Sequence, residues 1–227
     1  LSYQFDFSFL YDYWPDLLAG MRLTIGLSVL SILFGFIFGS ACAIARVHGG
    51  KTMRTIVGCY VDLVRNTPLV VQAFWLFFGM ASMGLKIGAF WAAIITLVIN
   101  VGAYTTEIIR AGLESIPRGQ KEAADCLALR KWQVILYIEL PQAVERVYPA
   151  LVSQFILMML ATSIMSQISV EELTGAAYGI QSMTFRGFEV YVVVAVIYLV
   201  LSWLTRTMFE VIARIAFTRR RRLRTPL

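Results

Sequence analysis

Long uncharged stretches alternate with short charged ones along this chain. Residues 23–45 carry no charged side chain, and neither do 90–106, 147–170 or 190–205; the last run continues to about Ala213 with a few charges near its end. A helix needs roughly 20 mostly apolar residues to cross the hydrocarbon core of a bilayer. A further apolar run covers 69–85, and residues 56–64 ahead of it extend it. The pattern predicts an all-α integral membrane protein with five spans, at about 17–45, 56–82, 89–112, 141–168 and 189–215. A polar segment at 113–140, a loop at 169–188 and a basic tail at 216–227 separate or follow them.

Composition agrees with that reading. Of the 227 residues 59% are hydrophobic and 15% charged, against about 45–50% and about 25% in soluble domains. Asp6, Asp12 and Asp16 precede the first run, where a secretory signal peptide would carry positive charge. The first run is therefore read as a span. Lys and Arg placement orients the chain. With the N-terminus outside, only Arg22, Lys86 and Arg186 lie near outer loops, and the other 17 of the 20 basic residues fall inside. Excess positive charge marks cytoplasmic loops, so the N-terminus is expected on the outer side and the C-terminus in the cytoplasm. The net charge of +6 follows from this bias and from anionic lipid headgroups, and implies no nucleic acid.

Little in the chain suggests catalysis. The single histidine, His48, and three scattered cysteines, Cys42, Cys59 and Cys126, form no metal-ligand or disulfide pattern. No internal repeat is visible, and the only low-complexity run is the arginine tail. The chain also lacks a Gly-x-x-x-x-Gly-Lys-Ser/Thr phosphate loop, so it is not itself an ATPase.

The segment EAADCLALRKWQVILYIELPQA, residues 122–143, interrupts the apolar pattern. Ile116–Pro117 precedes it and Leu140–Pro141 closes it. Pro141 suits the first turn of a new helix, and Glu122, Ala123, Ala124 and Leu127 favour helix. The spacing predicts a short helix, a turn near 129–131, and a second helix over 132–140. Taken by themselves, these residues fit an amphipathic interfacial helix or a docking element for a cytosolic partner.

The run resembles the EAA loop of permease subunits in ATP-binding-cassette importers, and within them the polar amino acid permeases of the histidine/glutamine/glutamate/arginine type. NVGAYTTEIIRAGLESIPRGQKEAADCLAL, residues 100–129, is similar to that group's signature, and DLVRNTPLVVQAFWLFFG, residues 62–79, to its Arg-x-Thr-Pro-Leu-x-x-Gln element. ELPQA, TSI and SVEELTGAA resemble further pieces, so the likeness covers nearly the whole chain. It implies a type I importer permease fold with a cytosolic coupling helix and a second permease subunit, a heterodimer being favoured over a homodimer. It also implies a bacterial inner membrane with the N-terminus periplasmic, two cytosolic ATPase subunits, which carry ATP and Mg, and a periplasmic amino acid binding protein. No cofactor is expected on this chain.

The resemblance assigns roles. Gly119 and Gln120 make the turn into the coupling helix, Glu122 pairs with the ATPase, and Ala123 and Ala124 are small so that the partner can approach. Leu127, Ala128, Leu140 and Pro141 complete the coupling set. The family's glycine is replaced here by Ala128, which implies a plain helical turn or a slightly weaker fit to the partner. For the substrate pathway, Thr67 and Gln72 lie with Pro68 at a kinked entry to the second span, and Asn100, Tyr104 and Glu107 share a helix face. Gln154, Met158, Ala161 and Met165 form a face on the fourth span, bordered by Thr162 and with Ser163 nearly opposite. Glu107 is read as an intrahelical partner of Arg110. Where the family carries a charged pair, this chain has Leu160 and Ala161. That departure fits a heterodimer in which the sister permease holds the intramembrane site, and the neutral Gln154 tilts the substrate towards neutral or acidic amino acids. Glu171, Glu172 and Glu189 against Arg186 suggest a short helix and a gate in the outer loop. A secondary transporter or channel is the alternative, although such transporters commonly show inverted repeats.

Overall fold

The computed structural model describes residues 5–217, which form helices and connecting turns with no strand among them. The arginines of the basic tail and the start of the aromatic N-terminal segment lie outside the described residues. Helix α1 spans Phe9–His48 and α4 spans Ala89–Glu114. Their backbones come close because Gly35 and Gly39 sit one helical turn apart on the facing side of α1. A Cβ on Gly39 would stand 2.6 Å from the Gly102 carbonyl oxygen, and one on Gly35 2.5 Å from Val101 Cβ. Small residues four apart are the usual device for close helix contact in lipid. Thr106 Oγ1 then reaches across and donates to the Gly39 carbonyl at 3.2 Å. Around this seam, Leu27, Leu97, Val101, Ile109 and Leu113 pack with Leu151 and Met158 of α6 (Lys131–Ile168) as the main core.

The expected second span, 56–82, is not one helix. Helix α2 covers Lys51–Arg65 and is amphipathic: Val57, Val61 and Val64 are buried, while Lys51, Arg54, Asp62 and Arg65 are exposed. The chain breaks at residues 66–68 and restarts as α3, Leu69–Ser82, with a π turn at Trp75–Gly79. Pro68 lacks an N–H and pushes the residue before it out of the helical region. A helix of that length reaches about 21 Å, short of the roughly 30 Å hydrocarbon core. Among the described residues four helices, α1, α4, α6 and α8 (Gly187–Ala216), have the length and apolar composition to cross a membrane.

Helix α5 covers Arg118–Cys126. The segment 132–140 was expected to be separate from the fourth span, with Pro141 starting a new helix. Instead α6 begins at Lys131 and runs through Pro141 without a break, by way of a π turn at Val134–Glu139. The widened turn shifts the hydrogen-bond ladder by one residue, and Pro141, lacking an N–H, falls in the first turn of regular α-helix after that shift. The last part of α6, Thr162–Ile168, tightens to 3₁₀ geometry.

At the opposite end of the bundle α7, Leu173–Thr184, packs across α1 and α8. Its N-cap, Glu172, is fully buried. The carboxylate accepts from the Thr174 and Gly175 amides at 3.0 Å, from Thr24 Oγ1 at 3.3 Å and from the Tyr198 hydroxyl at 2.8 Å. Burial pushes this carboxyl above its ordinary range despite those donors. Arg186 pairs with Asp6 at 2.8 Å and with Glu189 at 3.6 Å, closing the N-terminal segment onto the start of α8.

Candidate functional sites at the coupling segment and the central groove

The polar segment presents one face to solvent and one to the bundle. Pro117 precedes α5, and Gly119 and Gln120 lie in its exposed first turn rather than in the bend before it. Glu122, Ala123, Asp125 and Leu127 are exposed, Leu127 at 72%. Ala124 is not offered to a partner: it is 1% exposed and faces the chain's own interior. Leu140 is half-buried and Pro141 exposed. Trp132 and Tyr137, exposed at the start of α6 with ring centroids 6.0 Å apart, add aromatic surface beside α5.

Ala128 corrects a second expectation. Its φ is +53°, the left-handed region, and not a plain helical turn. The Ala128 amide donates to the Asp125 carbonyl at 2.9 Å and the Leu129 amide to the Ala124 carbonyl at 3.3 Å. That pair of bonds is a Schellman stop, whose left-handed position is usually glycine. The backbone geometry persists although the side chain does not favour it.

The second site is a groove of about 490 Å³ between the α2–α3 break, α4 and α6. Thr67, Asn100, Tyr104, Gln154, Met158 and Ala161 all line it. Gln72 stands behind them. Its Nε2 donates to the Val64 carbonyl at 2.7 Å and to Thr67 Oγ1 at 2.8 Å, and its Oε1 accepts from Asn100 Nδ2 at 3.3 Å. The amide thus ties the carbonyls freed by the break at Pro68 to α4. Thr162 and Ser163 do not line the groove; each donates to a carbonyl three residues back in α6. Met165 is buried in the core, off the expected face, because 3₁₀ geometry turns about 120° per residue instead of about 100°.

Sequence reasoning missed Arg65 and Asn66, which also line the groove. Both stand inside the Arg-x-Thr-Pro-Leu element and needed only the break to bring them there. The Arg65 guanidinium lies 5.2 Å from the Tyr104 ring centroid and 3.9 Å from Glu107. Glu107 pairs with Arg110 at 2.8 Å as expected, and also with Arg46 of α1. Three arginines from three helices converge on one carboxylate. Among the lining residues Arg65 is a cation, Asn66, Asn100 and Gln154 are amides, and none is a carboxylate.

Residues 15–216 match the family model described as binding-protein-dependent transport system inner membrane component. The chain belongs to that family. The permease is 37% identical over 201 residues to the glutamine transport system permease protein GlnP of Escherichia coli (strain K12), covering 88% of this chain and 92% of that one. It is 35% identical over 204 residues to the L-cystine transport system permease protein TcyB of Bacillus subtilis (strain 168), covering 89% and 87%. A solved amino acid ABC transporter with histidines superposes with a TM-score of 0.84 at 33% identity, over 93% of this chain and 99% of that one. The MetNI methionine transporter in an inward-facing form, at 19% identity and a TM-score of 0.78, shares the fold.

Proposed function

We propose that this permease is the membrane subunit of an ATP-driven importer for polar L-amino acids, working by alternating access. The observation that carries the reading is the groove itself. It is a polar cleft, flanked by membrane helices, with a guanidinium and amides but no carboxylate. Such a lining suits a ligand that carries its own carboxylate, as every amino acid does. It also favours neutral or acidic amino acids over cationic ones, which would meet Arg65 unfavourably. The amino acid permeases among its relatives support the same substrate class.

The groove is half of a pathway. A second permease subunit would complete it, and Ala161, where charge is absent, leaves a sister chain to supply it. A heterodimer accommodates this better than a homodimer. The exposed face of α5, with Glu122, Ala123 and Leu127, docks one cytosolic ATPase subunit, which holds ATP and Mg. Closure of the two ATPases moves α5 and with it the helices that wall the groove. A periplasmic binding protein delivers the amino acid at the α7 end. In this orientation α3 completes a fifth, shortened crossing, the N-terminus is periplasmic and the C-terminus cytoplasmic.

The test is uptake by the assembled complex in proteoliposomes. Arg65→Gln and Gln154→Ala are each expected to lower uptake at least tenfold while the ATPase still co-purifies. Unchanged uptake in both variants would remove the groove from the pathway.

A further inference from the structure

Glu139 is 1% exposed, yet it lies in the segment at the coupling end of the molecule. Its surroundings explain how a carboxylate is tolerated there. Lys121 Nζ of α5 stands 2.8 Å from Oε1. His48 Nε2, on the last residue of α1, stands 2.6 Å from Oε2, close in distance but not aligned as a hydrogen bond. One carboxylate therefore gathers three elements: the end of α1, the middle of α5 and the π turn that opens α6. Residue 139 is the last of that turn, and the extra residue in the turn resets the phase of everything that follows.

We propose that Glu139 is a positioning residue that clasps the coupling helix to α1 and α6, so that a displacement of α5 moves both membrane helices as one body. The proposal rests on the reading of α5 as the ATPase-coupling element. Its physical basis is directional. Apolar contacts between helices slide at small cost, whereas a buried carboxylate paired at Oε1 with the Lys121 ammonium, with the His48 ring against Oε2, loses much if either partner leaves. An apolar side chain at 139 would pack as well or better and so serve stability; the charged cluster instead fixes relative position. Ala124, buried on the same helix as Lys121, supplies the packing that keeps α5 seated. The signal was not readable beforehand, because the three residues lie far apart in sequence and each has an ordinary surface reading.

The experiment uses the complete complex in proteoliposomes and reads amino acid transported per ATP hydrolysed, normalised to assembled complex. Loss of stability alone lowers the amount of complex but not this ratio. Glu139→Gln and Lys121→Met are expected to lower the ratio at least fivefold, with basal ATP hydrolysis retained. Lys121→Arg is expected to restore it, and Glu139→Gln combined with Lys121→Met to be no worse than either alone. His48→Leu is expected to give a smaller loss. Lys121 is partly exposed, so its variants keep the test open if a change at the buried position prevents folding. A wild-type ratio in Lys121→Met, or in Glu139→Gln where it assembles, would overturn the clasp. Absence of ATP-driven uptake by the wild-type complex would instead contradict the transport function itself.

Discussion

Ala128 holds a left-handed backbone that glycine would adopt without strain. The Schellman bonds to Asp125 and Ala124 require that conformation, and for an alanine it costs about 1–2 kcal/mol. Ala128→Gly is expected to stabilise the end of α5 by about 1 kcal/mol, less the extra freedom glycine has in the unfolded chain. Slower hydrogen exchange at the Ala128 and Leu129 amides would report it, and Ala128→Val should speed exchange instead. Glu172 makes a second prediction at this scale. Its carboxyl is raised above the ordinary value of 4.5 by burial, so the folded protein holds that proton more tightly than the unfolded chain. Its contribution to stability is therefore fully present below pH 4.5 and is lost as pH rises through the raised folded value. Thermal melts of the detergent-solubilised protein should show this trend, and Glu172→Gln should flatten it. Residue types at both positions were plain in the sequence, but not their conformation or burial. Alanine does not announce a positive φ, and a glutamate in a loop does not announce that four donors will close over it.

Among the elements, the four long spans were legible because a chain of about 20 residues without charge is long enough, and apolar enough, to fill the hydrocarbon core. The breaks were not. Apolar runs at 56–64 and 69–85 lie on either side of the short polar stretch before Pro68, so α2 and α3 read as one span until the backbone is followed, and only then do Arg65 and Asn66 join the groove wall. Pro141 misled in the other direction, since a π turn can carry a helix through a proline that sequence rules treat as a start. The Gly35–Gly39 pair shows how tightly such geometry binds the bundle. Gly39→Val would drive a side chain into the Gly102 carbonyl and is expected to reduce folded protein in the membrane several-fold, as measured by size-exclusion recovery. At the α5 end the relevant element is a surface. Leu127→Glu places a charge on its most exposed apolar residue, and it should abolish capture of the ATPase subunit while the permease itself still folds.

For the whole molecule, the resemblance names its family, yet the two sites depend on distant segments meeting. The groove joins the α2–α3 break, α4 and α6. The Glu107 cluster joins α1, α2 and α4. Local residue patterns carry no record of such meetings. In the function proposed above, the permease is a passive pathway driven from outside by another chain's nucleotide cycle. The most direct test is amino acid uptake into proteoliposomes holding the permease with its sister subunit, with and without the ATPase and ATP, loaded binding protein being present throughout. Accumulation against a gradient only when both ATPase and ATP are supplied is the predicted result. Accumulation or equilibration of substrate through the membrane subunits alone would contradict it.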